Sequence, residues 1–122
     1  MSNERRAARL EELRKEAERI VAEQNKARKS EQELLDIQSS YAQLFARSDR
    51  LFEQLEELFR KSRSKSVFEE LFIEAKMDQC HISKRIEDEI DILDAKLEAL
   101  DERSNRIKAE EQRIFNEMEP GE

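Results

Sequence analysis

The sequence predicts an all-α protein: a long antiparallel helical hairpin that assembles with further helices into a four-helix bundle or an elongated coiled coil. Of its 122 residues, 43% are charged and 37% hydrophobic, and it has one Gly and one Pro, so turn-forming residues are scarce. Its apolar residues recur at helical spacing along most of the chain. Disorder is the alternative for so charged a chain, but disordered segments lack such periodicity.

The first helix is predicted at residues 3–60. One apolar series with seven-residue spacing, broken only at Ser48, contains Leu13, Ile20, Ala27, Leu34, Tyr41 and Leu55. Three Leu-Phe pairs, also seven residues apart, widen this stripe near the end of the helix: Leu44-Phe45, Leu51-Phe52 and Leu58-Phe59. Because seven residues make almost two helical turns, all of these side chains lie on one side of the helix.

A break in this helix at Ser30 is the alternative. Ser30 and Glu33 have the form of a capping box, in which each side chain hydrogen-bonds the other residue's backbone N–H. However, the 21 residues from Leu13 to Leu34 make three whole heptads, so the stripe passes through without a change of register. We therefore expect one unbroken helix.

The turn is predicted at residues 61–66, where apolar residues stop and the sequence reads KSRSKS. Ser66 and Glu69 form a second capping box, so the second helix is placed at 67–118. Its apolar positions are Phe68, Phe72, Ala75, Ile82, Ile86, Ile90, Leu93, Leu97, Leu100, Ile107, Ile114 and Met118. Pro120 and Gly121 end this helix and leave a tail at 119–122, so residues 1–122 form a single helical-hairpin domain.

Charge favours antiparallel pairing of the two helices. Residues 1–30 carry nine basic and six acidic side chains, whereas residues 87–122 carry five basic and thirteen acidic ones. A turn near residue 61 brings these segments of opposite sign together. A single hairpin would leave much of its apolar stripe exposed, so we expect a homodimer when the protein is alone.

Little in the sequence indicates catalysis, and we expect no enzymatic activity, no cofactor and no metal site. Cys80 and His81 are adjacent on a helix and point about 100° apart, which suits a nucleophile and its base poorly. The net charge of -7 and the pI of about 5.0 argue against nucleic-acid binding. No apolar run approaches the roughly 18 residues that span a bilayer, so membrane insertion is not expected.

The apolar stripe has two uses that overlap. We assign the contact with a helical protein partner to Tyr41, Leu44, Phe45, Leu51 and Phe52. The core of the hairpin tip is assigned to Leu58, Phe59, Phe68 and Phe72. The first assignment predicts an intermolecular surface, and the second predicts packing between the two helices next to the turn.

A short acidic chain of two long antiparallel helices with an unsatisfied apolar seam resembles the WXG-like small helical proteins of type VII secretion. It is most similar to the α-helical accessory proteins of LXG toxins in Gram-positive bacteria. The chain lacks the Trp-x-Gly turn of standard WXG proteins, since it has no Trp and residues 61–66 occupy that place.

Phe115 and Glu119 have the aromatic-x-x-x-acid spacing of targeting motifs in these systems, near the end of the chain. The spacing is weakly specific, because Phe45 with Asp49 and Phe52 with Glu56 also fit it. The alternative role of Phe115 is to be the last anchor of the seam between the helices.

This resemblance implies a helper that binds the helical N-terminal domain of an LXG toxin, together with a second small helical accessory protein. It further implies that the helper stabilises the toxin and assists its targeting to the secretion apparatus. The first residues lack the hydrophobic core of a secretory signal, so we expect cytoplasmic synthesis followed by export with the client. The alternative is a self-assembling coiled-coil scaffold or adaptor without a secretion client.

Overall fold

The structure, a computed structural model, describes residues 2–118 and contains two long α-helices that pack against each other as a hairpin. Helix α1 covers Asn3–Phe59 and helix α2 covers Lys65–Glu117. No strand occurs in this part of the chain. The predicted all-α hairpin is confirmed, and the helix bounds differ from the expected 3–60 and 67–118 by two residues or fewer. The predicted tail at 119–122, including Pro120 and Gly121, lies outside the described residues.

Helix α1 continues through Ser30 without interruption, as predicted from the heptad register, which is the same before and after this residue. The turn after it is closed by a hydrogen bond from the backbone N–H of Ser62 to the carbonyl of Phe59, at 3.0 Å. The first hydrogen bond of α2 runs from the N–H of Phe68 to the carbonyl of Ser64. Ser64 is therefore the residue that caps α2, and the helix begins before the predicted cap at Ser66.

Contacts divide the chain into two compact units. The first, called here the terminal unit, contains Met1–Ser30 and Ile92–Glu122. The second, called the turn unit, contains Glu31–Asp91. Each unit consists of one segment from each helix.

The terminal unit has a compact apolar core. Five side chains that are at most 5% exposed form it: Leu13, Ile20, Leu100, Ile107 and Ile114. The half-buried Leu10 and Ala17 pack against them. The buried residues of each helix repeat every seven positions, so the predicted seam supplies the core, and complete burial of such a side chain contributes about 1.5–3 kcal/mol.

Polar contacts join the helices beside this core. The buried Gln24 donates a hydrogen bond from its Nε2 to Oδ1 of Asp101 at 2.7 Å. The guanidinium of Arg9 donates two bonds to the carboxylate of Glu110, at 2.9 and 3.2 Å. Because each contact pairs one position of α1 with one of α2, together they favour a single register between the helices.

The Arg9 contact also affects the protonation of Glu110. Hydrogen bonding by the Arg9 guanidinium lowers the pKa of the Glu110 carboxyl. Folding therefore favours the ionised carboxylate, so the contact stabilises the fold at neutral pH. That contribution is lost as the pH falls through the pKa of Glu110 in the folded chain.

The turn unit is held together by aromatic side chains. The rings of Phe59 and Phe68 stack with their centroids 5.2 Å apart, and Phe52 meets Phe72 edge to face at 5.4 Å. Asp49 accepts hydrogen bonds from Lys76 at 2.7 Å and from Gln79 at 3.1 Å, and these bonds lower the pKa of its carboxyl. The most buried hydrophobic residues of the unit, Phe68 and Ile86, are each 8% exposed. Its core is therefore less completely covered than that of the terminal unit.

The seam of the terminal unit can be tested with two Ile→Ala substitutions in α2. Ile114 is 1% exposed, so Ile114→Ala should lower the free energy of unfolding by about 2–5 kcal/mol in urea denaturation. Ile92 is 61% exposed, and Ile92→Ala, the matched control, should change it by less than about 0.5 kcal/mol. Equal losses from the two substitutions would contradict the assignment of the seam.

Candidate functional site

An exposed apolar ridge runs along α1 in the turn unit. It consists of Ile37, Leu44, Leu51 and Leu58, which are 45%, 54%, 54% and 75% exposed. These four residues are seven positions apart, so they lie in one row on the helix surface. Exposed apolar side chains are ordinary when scattered singly, but a continuous row of them is typical of an interaction surface.

The ridge begins where one row of side chains on α1 changes from polar to apolar. Going back from Ile37 in steps of seven residues, the same row contains Ser30, Glu23 and Glu16. From Ile37 to Leu58 this is therefore a third apolar row of α1, beside the row of Leu13 and the row of Leu10, and the row of Leu10 is itself interrupted at Gln24, Glu31 and Gln38. The change falls at Ser30, which is also the boundary of the two units.

Helix geometry explains why α2 leaves the third row uncovered. The residues of α1 that contact α2 include Phe52 and Phe59, whose rings meet Phe68. Each residue advances about 100° around the helix, so Leu51 and Leu58 point away from the phenylalanines that follow them. One neighbouring helix cannot cover all three rows at once.

A groove of about 560 Å³ lies between the two helices in the turn unit. Its apolar lining comes from Phe52, Leu55, Phe59, Val67, Phe68, Leu71 and Ala75. Val67 and Leu71 are each more than half exposed. Leu51 and Leu58 lie four residues before and three after Leu55, so they are its neighbours on the surface of α1 and extend the apolar surface outwards from the groove. We call the ridge, Val67 and Leu71 together the turn-unit apolar face.

The two edges of this face carry charges of opposite sign. Arg47 lies three residues after Leu44 and four before Leu51, so it flanks the ridge on α1. Glu74 and Asp78 line the groove on the α2 side. All three charged side chains are exposed.

A second groove of the turn unit, of about 430 Å³, has a different rim. Its charged lining residues are Glu53, Glu56, Arg60, Lys65 and Glu69. Glu53 and Glu56 lie on the side of α1 that is turned away from the ridge, since they are two and five residues after Leu51. The exposed Val67 and Leu71 line the first groove and not the second, whereas the exposed Ile73 and Met77 line a separate groove with Phe72.

The five residues predicted to contact a partner fall into two groups. Leu44 and Leu51 belong to the exposed ridge. Tyr41, Phe45 and Phe52 are half-buried, and their rings pack within the chain: Tyr41 against Phe45 at 5.6 Å, and Phe52 against Phe68 and Phe72. Leu44 and Leu51 are thus the accessible members of the predicted set.

The residues predicted for the tip core also divide. Phe59, Phe68 and Phe72 do pack around the turn, with Phe68 the most buried of them. The assignment of Leu58 to this core is wrong, because Leu58 is 75% exposed. Leu58 lies between Glu57 and Phe59 in the sequence, and successive residues point about 100° apart around the helix. Of these three residues, only Phe59 points towards α2.

Phe115, the described half of the predicted targeting motif, lies at the surface of the terminal unit. Its neighbour Ile114 occupies the buried seam, while Phe115 is 57% exposed, so Phe115 is not the last anchor of the seam. It lines a groove of about 720 Å³ with Leu10, Ala17, Val21 and Ile107. Glu119 lies outside the described residues.

Residues 2–118 also bear on metal binding, on nucleophilic chemistry and on membrane insertion. Within them, no cluster of three or more His, Cys, Asp or Glu side chains has an arrangement that could bind a metal ion. Cys80 and His81 are both exposed. None of the helices combines the length and the apolar character required to cross a membrane.

Sequence reasoning missed Ile37, Val67 and Leu71. Ile37 was detectable, because it continues the row of Leu44 backwards by one heptad. Val67 and Leu71 were not, since their contribution depends on which side of α2 faces the groove. That orientation becomes known only from the contacts of Phe68 and Phe72 with α1.

A known protein family matches most of the chain. A family model described as "Protein of unknown function (DUF3958)" matches residues 8–117, which include almost all of both helices and the turn. No curated protein and no solved structure matches the chain.

The contrast between the ridge and the tip core predicts a large loss of stability at one residue and a small loss at its neighbour. Phe52→Ala removes ring contacts with Phe68 and Phe72 and should lower the free energy of unfolding by about 3 kcal/mol. Leu51→Ala should lower it by less than about 0.5 kcal/mol. Both should be measured in urea at low protein concentration, so that association does not contribute. A larger loss for Leu51→Ala than for Phe52→Ala would show that the ridge packs within the chain.

Proposed function

The chain belongs to the DUF3958 family, and we propose that it is a non-enzymatic helper that binds the helical N-terminal domain of an LXG toxin. In this proposal it stabilises the toxin and assists its targeting to type VII secretion, together with a second small helical accessory protein. One observation supports the proposal above all: the turn-unit apolar face is exposed on a chain in which 43% of all residues are charged.

The apolar face offers free energy for association. Complete burial of a Leu or Ile side chain is worth about 1.5–3 kcal/mol, so covering a half-exposed one gains about 1 kcal/mol. The four ridge residues are each about half exposed or more, and Val67 and Leu71 add to them. Covering the face therefore supplies several kcal/mol, before the costs of association are subtracted.

The spacing of the ridge favours a helical partner. A row of apolar side chains every seven residues matches the surface of another helix, whose side chains fit between them. An amphipathic helix in an apolar groove is a common mode of protein recognition. The resemblance to accessory proteins of LXG toxins names this partner, and the geometry of the ridge gives the reason for one.

The binding test uses Leu44→Ser with Leu51→Ser. Both side chains are exposed, so the double variant should remain helical by circular dichroism yet fail to form a complex with the LXG domain encoded nearest to its gene. Co-purification and light scattering measure the complex. The matched control, Val21→Ser with Ile92→Ser, changes equally exposed residues of the terminal unit and should leave binding intact.

Full binding by the double variant, with normal helicity, would contradict the assignment of the apolar face to the toxin. A wild-type chain that binds no LXG domain and forms a stable homo-oligomer would instead favour the scaffold. Loss of binding in the control variant as well would show that the contact extends to the terminal unit.

A separate test addresses targeting. Phe115 is exposed and lies outside the buried seam, so Phe115→Ala with Glu119→Ala should preserve the toxin complex and reduce toxin secretion from cells. Ile92→Ala with Glu98→Ala removes a similarly exposed apolar side chain and a carboxylate from the same helix, and it should leave secretion unchanged. Normal secretion of the first variant would remove the targeting role from Phe115.

A further inference from the structure

We infer that, in the free protein, a second copy of this chain covers the turn-unit apolar face, with α1 of each copy lying against α2 of the other. The inference rests on the proposed function, since it describes how the surface meant for the toxin is protected before the toxin binds. It follows from two apolar pairs of positions on the face, made by Leu51, Leu58, Val67 and Leu71, and from one charged pair at its edges, all at matching levels along the two helices.

The first two pairs are apolar. Phe59 stacks on Phe68, so Leu58 and Val67, their immediate neighbours in sequence, lie at the same level along the hairpin. Phe52 meets Phe72, so Leu51 and Leu71 share a second level. All four of these neighbours are more than half exposed. A copy that lays its α1 on the partner's α2 at these levels therefore covers leucine with leucine or valine.

The third pair is charged. Asp49 bonds to Lys76 and Gln79 across the hairpin, which places Arg47 and Asp78 at nearly one level, within about two residues of that contact. Within residues 2–118, neither Arg47 nor Asp78 forms an ion pair. In the proposed dimer, Arg47 of each copy faces Asp78 of the other.

Symmetry then selects the arrangement of the copies. A twofold axis parallel to the helices places α1 over the partner's α2 with both turns at the same end, and each of the three pairs occurs twice. It produces an antiparallel four-helix bundle. Packing α1 on α1 instead would bring the two Arg47 edges together and leave Glu74 and Asp78 of both copies side by side, which is unfavourable for like charges.

The test is cross-linking between differently labelled copies, in full-length chains with Cys80→Ser to remove the exposed native thiol. One preparation carries Arg47→Cys and another carries Asp78→Cys. A short bismaleimide is added to each alone and to their mixture, because helices in a bundle are about 8–10 Å apart. The mixture should give covalent dimers on denaturing gels, several-fold more than either variant alone.

The matched control mixes Glu53→Cys with Glu69→Cys, which line the charged groove of the turn unit, and should give no covalent dimer. Circular dichroism confirms equal helicity in all variants. Cross-linking of Arg47→Cys alone at the level of the mixture would overturn the inference, because α1 would then face α1. The absence of covalent dimer in every arm would overturn it as well.

Adding the purified LXG domain separates this inference from the proposed function. If the toxin binds and suppresses cross-linking in the mixture, both are supported. If the mixture is cross-linked but no toxin binds, the dimer stands and the proposed function fails. If the toxin binds to chains that never cross-link, the dimer is overturned while the proposed function stands.

Discussion

One α-helix can cover only a limited surface of another, and this limit determines which apolar side chains of α1 are buried and which stay exposed in each unit. Two rows of side chains on α1 can face α2, and in the terminal unit the third row is polar, with Glu16, Glu23 and Ser30. From Ile37 onwards the third row becomes apolar and stays so to Leu58. In the turn unit, a row of apolar side chains on α1 is therefore left uncovered by α2.

The polar contacts of the two units reflect this difference. In the terminal unit, Gln24 with Asp101 and Arg9 with Glu110 stand beside a core of nearly inaccessible side chains. Such contacts add modest stability but favour one register between the helices. In the turn unit, Arg47 and Asp78 have no ion-pair partner in residues 2–118. In the proposed dimer, these charges orient the second copy, which is the usual role of charge at the rim of an interface.

Most of the fold was predictable because heptad spacing, charge and the scarcity of Gly and Pro all indicate the same hairpin. Rows such as Leu13 to Tyr41 and Leu100 to Ile114 identify the seam without knowledge of the partner helix. The candidate site was less predictable. In a Leu-Phe pair either residue can face α2, and the sequence does not decide which. The packing of Phe59 on Phe68 decides it, placing Leu58 outside, just as the burial of Ile114 places Phe115 at the surface.

The proposal that the turn-unit apolar face is an intermolecular surface is tested most directly by the mass of the wild-type chain in solution. Light scattering should be measured over a range of concentrations, alone and with the purified LXG domain. We expect a mass near twice the 14.5 kDa of one chain when it is alone, and a discrete complex that replaces the homodimer when the toxin domain is added. A mass of 14.5 kDa at every concentration, unchanged by the toxin domain, would contradict it.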